Sequence, residues 1–175
     1  MAEKLPKHSD SLGREAETRE MREIQRVIAS ALIFSRDGKI LMGRKDPKKG
    51  GVYADCWHIP GGGVDEGEEL ENAMIREVGE EIGLDVSQYE RTQFPQKGEG
   101  VAEKVLSDTG EQVMCKMEFN RFRVDVNDKG ADEIELHPSS DLVETRWFSI
   151  DELPNVKQIP GGKEFFQEIG LIPKE

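Results

Sequence analysis

The segment RVIASALIF, residues 26–34, constrains the fold of this chain more than any other stretch. It is almost unbroken apolar and β-branched sequence. It lacks the polar alternation of a strand with one wet face, so it reads as a strand buried on both sides. Asp37-Gly38 follows, a strong two-residue hairpin signal, and KILMGRK (39–45) is the returning strand. Further strands are expected in WHIP, which must end by Pro60, and in a hairpin turning at Asp108-Thr109-Gly110. VETRWFSI (143–150) reads as the last strand. Apolar residues in the hairpin's return strand stand at Val113, Cys115, Met117 and Phe119, then at Phe122, Val124 and Val126. A β-bulge near Asn120-Arg121 is the expected device for keeping one face buried across that change of parity. Leu70, Ala73, Met74, Val78 and Ile82 recur at helical spacing and predict an amphipathic helix over about 68–82, stopped by Gly83. KEFFQEIG predicts a C-terminal helix closed by Gly170.

The 175 residues suit one domain with its own core. Residues 1–24 are polar and charged, as in a loosely attached arm, which leaves 25–175 as the domain. The formal net charge is −12, which disfavours sequence-general binding to nucleic-acid backbones. Two widely spaced cysteines, Cys56 and Cys115, suggest a reducing compartment and no cysteine metal cage. The N-terminal stretch lacks the apolar core of a secretory signal, and no run is long enough for a membrane span. A cytoplasmic protein with no membrane partner is expected.

The segment GGGVDEGEELENAMIREVGEEIGL (61–84) concentrates negative charge behind three glycines. At ~100° per residue, Glu77, Glu80 and Glu81 fall within an arc of roughly 100° beside the apolar face of the helix. Three half-sheltered carboxylates cannot all stay ionised without a cation. A hard divalent ion, Mg²⁺ or Mn²⁺, meets that need and shares its remaining positions with substrate phosphates. Glycine at 61–63 lets a backbone carbonyl approach the same point. The other reading of the charge is a solvated acidic helix that binds nothing.

The order of these residues carries a resemblance. Gly62, five residues, Glu68, seven residues, Arg76-Glu77-Val78, one residue, Glu80-Glu81, one residue, Gly83-Leu84 match every fixed position of the Nudix box. The chain resembles the Nudix hydrolases from about 26 to 153, with WHIPGG leading into the box and RWFSIDEL after it. The resemblance implies an α+β Nudix fold, an α/β/α sandwich around a mixed, mostly antiparallel curved sheet. It implies that Glu77, Glu80 and Glu81 are catalytic metal ligands, with the Gly61 carbonyl completing the set and Glu77 the foremost candidate for taking a proton from the attacking water. It assigns Glu68 and Arg76 to an ion pair that holds helix and loop in register. Gly79, at a free position in mid-helix, is expected to pack closely against a neighbour.

Family members often draw a further base or ligand from outside the box. Candidates are Asp132, Glu133, Glu135, Glu144 and His137. Arg44, Lys45, Lys48 and Lys49 form the one dense basic patch and could hold terminal phosphates, with Arg44 favoured. Tyr53, Trp57, Phe94 and Phe119 could stack a base, although Trp57 and Phe119 also suit the core. The expected activity is Mg²⁺-dependent cleavage of a phosphoanhydride in a small nucleoside diphosphate-X substrate, in the first place a MutT-like (d)NTP pyrophosphatase. An ADP-ribose or nucleotide-sugar pyrophosphatase is one alternative. A non-catalytic nucleotide-sensing module is another, and such modules usually lose box glutamates, which are all present here. The net charge counts against an RNA substrate, and a homodimer is a further possibility.

Overall fold

In the computed structural model, residues 20–175 are described, and the expected arm lies outside them up to residue 19. Strand β1 (Arg22–Ser35) begins four residues before the apolar run at 26. It is followed by β2 (Ile40–Lys45), β3 (Trp57–His58), β4 (Gly61–Gly63), helix α1 (Leu70–Ile82), β5 (Arg91–Gln93), β6 (Gly98–Val105), β7 (Gln112–Val126), β8 (Leu142–Phe148) and α2 (Gly162–Glu168). The strands form one mixed sheet, and its backbone runs β3-β2-β1-β7-β5. Among the described strands only β1 and β7 pair in parallel, from Arg22 opposite Val113 to Ser35 opposite Val126. The other strand pairings are antiparallel.

The change of apolar parity in β7 has a different cause from the bulge expected. The β1–β7 register runs unbroken through Asn120 and Arg121. Cys115, Met117 and Phe119 enter an apolar cluster on one face of the sheet. Phe122, Val124 and Val126 enter the cluster beneath α1 on the opposite face. Both faces of β7 are covered, each over a different part of its length, so a straight strand satisfies both sets. The register shift in the sheet lies elsewhere, between Arg44 and Lys45 where β2 pairs with β8.

The layers follow from β1. Ala29, Ala31 and Ile33 face α1 through Ala73, Met74, Val78 and Ile82. Leu32 and Phe34 face the other way, against Phe148, Leu153 and the α2 residues Phe165 and Phe166. These residues are at most 7% exposed, as a strand covered on both sides requires. This is the expected α/β/α sandwich around a mixed sheet. On its β2 side, β1 changes partner along its length. Phe34 pairs with Ile40 of β2, whereas Ile28, Ala29 and Ser30 pair with Gly63, Gly62 and Gly61 of β4. The sheet therefore parts between β2 and β4, and a cavity of about 500 Å³ lies at that parting.

Candidate active site

Helix α1 delivers the box glutamates to this cavity, and its C-terminal end is sealed by a distant loop. Gly83 adopts the left-handed conformation (φ 68°) that ends a helix, and its N–H donates to the Gly79 carbonyl at 2.9 Å. The backbone N–H groups of His137 and Ser139 donate to the Ile82 and Glu81 carbonyls at 2.8 and 2.7 Å. They satisfy two acceptors that the helix leaves open. The same loop brings Asp141 to the cavity wall.

Glu77, Glu80, Glu81 and Gly61 all line the cavity. Glu77 lies tightly against Gly62: a Cβ on Gly62 would stand 2.2 Å from Glu77 Oε2. Glu80 is the most exposed of the three, at 61% of its side chain. Glu81 is mostly sheltered, with 13% of its side chain exposed, and its buried Oε1 has no hydrogen-bond partner. Burial, then the nearby charges of Glu77 and Asp141, push its pKa up to about 8, while Lys45 opposes them.

Arg76 organises the acidic side. Its Nε and Nη2 donate to Glu68 Oε1 and Oε2, each at 2.8 Å, and Nη2 also donates to the Gly63 carbonyl at 3.0 Å. Nη1 donates to Glu77 at 2.8 Å and to Glu80 at 3.3 Å. Glu68 also accepts from the Asp65 N–H at 3.0 Å. The hydrogen bonds from Arg76, and secondly the Asp65 N–H, lower the Glu68 pKa to about 2. The pair thus ties α1 to β4 and to the loop between them.

Among the described residues no three Asp, Glu, His or Cys side chains are already gathered closely enough to share an ion. The donor set nevertheless fits a hard divalent cation. Its atoms are carboxylate oxygens, one of them is buried without a partner, and Gly62 leaves the space that Glu77 occupies.

Four cations line the same cavity: Arg26, Lys45, Lys104 and Arg121. Among the described residues none of them is held in an ion pair. Burial first, then the charge of Arg26 and more weakly that of Lys45, lower the Lys104 pKa. Arg26, Lys45 and Lys104, close enough to repel one another and not held in ion pairs, form a site for an anionic ligand.

Several expected site residues stand elsewhere. Arg44 is held by Asp55 at 2.5 Å and Glu144 at 3.1 Å, and neither Arg44 nor Glu144 lines the cavity. Leu41 packs with α1 and a Cβ on Gly43 would stand 3.8 Å from Glu81 Oε1, so Lys45, next on that face of β2, lines the cavity instead. Lys48 and Lys49 are exposed and lie outside the lining. Glu133 pairs with Arg36 and caps a short 3-10 turn through the Gly130 N–H. Glu135 and His137 pair with each other at 3.3 Å, largely in solvent. Asp132 is exposed and outside the lining. Tyr53, Trp57 and Phe119 do line the cavity, but Phe94 packs on Phe165 outside it. Gly79 has open space where a Cβ would lie, so close packing does not explain it.

Sequence reasoning did not single out His58, Asp141, Arg26, Lys104 or Arg121. His58 is buried beside Glu81, with Nδ1 3.7 Å from Oε1. Burial lowers its pKa to about 4. Its Nδ1 lies 3.1 Å from the Ile59 carbonyl, so in the neutral ring Nδ1 carries the proton and Nε2 is an acceptor without a partner. Position in WHIPGG, directly before the glycines, was the one available signal.

Comparison with known proteins gives the family and the fold. An RNA pyrophosphohydrolase of Wolbachia pipientis subsp. Culex pipiens is 29% identical over 145 residues, covering 79% of this chain and 82% of that protein. An RNA pyrophosphohydrolase of Sphingopyxis alaskensis is 39% identical over 59 residues, 34% of this chain and 35% of that protein, so the chain spans about a third of this relative. A crystal structure of a MutT protein from Methanosarcina mazei Go1 superposes with a TM-score of 0.54 at 24% identity, covering 89% of this chain and 99% of that one, which speaks to the fold. The family model described as NUDIX domain matches residues 24–169, and the chain belongs to that family of phosphoanhydride hydrolases.

Proposed function

We propose that this enzyme hydrolyses the polyphosphate of a nucleoside 5′-triphosphate and releases pyrophosphate. The observation that carries the reading is one cavity in which box carboxylates face cations that have no ion pair. Arg26, Lys45 and Lys104 bind the phosphate oxygens, and the volume of about 500 Å³ suits a nucleotide. Glu77, Glu80, Glu81 and the Gly61 carbonyl are the groups that would hold Mg²⁺ or Mn²⁺. When bound, that ion supplies the positive charge on which cleavage of a phosphoanhydride depends. Arg76 keeps α1 and the glycine strand in register, so the carboxylates keep their aim. Glu77 takes the proton from the attacking water. The buried pair Glu81 and His58 excludes bulk water from the rear of the site.

A second substrate reading is the triphosphorylated 5′ end of an RNA, and the names of the two relatives favour it. The chain's charge of −12 opposes it. A product-release assay in millimolar Mg²⁺, reading pyrophosphate from the triphosphates and nucleoside monophosphate from the diphosphate-linked substrates, tests both readings. It compares nucleoside triphosphates, oxidised deoxynucleoside triphosphates, ADP-ribose, nucleotide sugars and a 5′-triphosphorylated oligoribonucleotide at equal concentration. The first reading expects free triphosphates to exceed the oligonucleotide in kcat/KM, and the reverse order selects the second. Activity confined to ADP-ribose or nucleotide sugars overturns both. Binding without turnover of any of them would make the chain a nucleotide-sensing module.

A further inference from the structure

Arg121 is a buried cation that neither the fold nor the box accounts for. It stands in the middle of β7, 7% exposed, and makes no ion pair among the described residues. Its guanidinium lies over the Phe165 ring of α2, 4.3 Å from the centroid, and 5.5 Å from that of Phe119. Gly98 of β6 gives it room: a Cβ there would stand 2.5 Å from Nη2. Burying an arginine without a carboxylate is costly, and two aromatic faces offset only part of that cost. The nearest compensating charge, Glu168, acts without a direct bond.

The same cavity holds a matching acceptor. Gln158 donates through Nε2 to the Leu153 carbonyl at 3.2 Å, which fixes the amide. Its Oε1 is left buried with no partner, and the residue lines the cavity with Arg121. A rigid donor fork and a fixed acceptor among aromatic side chains suit a planar ligand that carries both kinds of group. A phosphate offers acceptors only and would leave Gln158 Oε1 unmatched. A nucleobase offers both.

Resting on the nucleotide reading above, we infer that Arg121 and Gln158 form the base-recognition subsite and select a 6-oxopurine, guanine before adenine. The guanidinium fork requires two adjacent acceptors, and guanine presents O6 and N7. Guanine N1–H or N2–H then donates to Gln158 Oε1. Adenine sets its N6 amino group, a donor, against the donors of Arg121. A bidentate arginine–guanine pair is worth about 1–3 kcal/mol, or roughly 5- to 150-fold, against the wrong base.

The test measures kcat/KM for GTP and ATP in wild type, Arg121→Gln and Arg121→Lys. Thermal shifts with GTP and with ATP in EDTA report base recognition without turnover. Wild type is expected to favour GTP at least tenfold and to show the larger shift with GTP. Arg121→Gln should bring the GTP:ATP ratio to within about threefold of one, through KM. Arg121→Lys keeps the charge but loses the fork, so its ratio should stay collapsed. Gln158→Leu, which leaves the arginine in place, should also lower the ratio. Wild type that turns over both nucleotides with no preference overturns the inference and leaves the nucleotide reading intact. A Lys variant that restores the wild-type ratio reassigns Arg121 to simple charge pairing and likewise overturns it. No turnover of any triphosphate removes the nucleotide reading, and equal shifts by the two nucleotides then dispose of the base subsite as well.

Discussion

Glu81 Oε1 and His58 Nδ1 lie 3.7 Å apart, both side chains nearly out of solvent, and the environment pushes both groups toward the neutral form. Their effects on stability have opposite signs. The His58 pKa is lowered to about 4, so between that value and about 6.5 the unfolded chain binds a proton the folded one refuses, and stability rises with pH. The Glu81 pKa is raised to about 8, so between its ordinary value of 4.5 and about 8 the folded chain holds a proton the unfolded one has lost, and stability falls with pH. The two slopes oppose each other below about pH 6.5, and above it Glu81 acts alone. Melting curves in EDTA should therefore show stability falling from about pH 6.5 to 8, by at most about 1.4 kcal/mol per pH unit. Glu81→Gln should remove that fall. A wild-type melting temperature that rises over this window would show that Glu81 is not held protonated.

The same buried proton links the site to metal. A divalent cation bound by Glu81 must displace it, so binding should release a proton near pH 7. Added Mg²⁺ or Mn²⁺ should raise the melting temperature by mass action, and more steeply at pH 8 than at pH 6. Curves that ignore both ions and EDTA at either pH would leave the carboxylate cluster without a cation of useful affinity.

Gly62 is fixed by contact with Glu77. Gly62→Ala places a methyl 2.2 Å from Oε2, and the far end of a flexible side chain is what must yield. The fold should survive with a melting temperature within a few degrees of wild type. The displaced carboxylate should lower kcat by about 100-fold, the scale expected for a misplacement near 1 Å. Near-normal turnover in the alanine variant would mean that the position of Glu77 is not critical.

Gly79 supplies the contrasting case, a helical glycine with empty space around it. Gly79→Ala should stabilise by about 1 kcal/mol, the helix-propensity difference. That corresponds to roughly 2–4 °C in a chain of this size. Thermal melts settle the matter, and a lowered melting temperature would reveal a packing role that the structure does not contain.

These contrasts show where the sequence was readable. The box glutamates, Arg76 and Glu68 sit on one helix and its leading loop, so spacing alone places them together. Two-sided burial was legible in residues 29–34, all of them buried, whereas the start of the same apolar run misled: Val27 is 39% exposed and β1 alternates up to residue 28. Arg26, Lys104 and Arg121 come from three strands whose arrangement depends on the parallel β1–β7 pairing, and a parallel pair leaves no turn signal to read. Arg44 and Lys45 point to opposite faces of β2 by simple alternation, and only the packing of Leu41 with α1 shows which of those faces carries the acidic side of the cavity. The parity change in β7 was visible, but one strand covered by two different clusters leaves the same pattern as a bulge.

Arg76 and Glu77 are adjacent in sequence and bonded at 2.8 Å, yet opposite outcomes are expected when each is replaced. Arg76 holds Glu68 through two hydrogen bonds, the Gly63 carbonyl through a third, and Glu77 and Glu80 besides. Arg76→Ala frees all of these acceptors at once and unties α1 from β4. The melting temperature in EDTA should fall by roughly 3–8 °C, since several charge-assisted bonds are lost together. Turnover should fall with it, because the carboxylates lose their alignment. Glu77→Gln keeps an acceptor for Arg76 and removes one negative charge from a crowded group, so its metal-free stability should match or slightly exceed wild type. Its turnover in Mg²⁺ should nevertheless collapse by several orders of magnitude, because an amide neither takes a proton nor matches a carboxylate as a ligand. Melts in EDTA and turnover in Mg²⁺, measured on both variants side by side, separate the roles. Strong destabilisation of Glu77→Gln in EDTA would make Glu77 a structural partner of Arg76 and move the proton-accepting role to another carboxylate of the cavity, with Asp141 the first to examine.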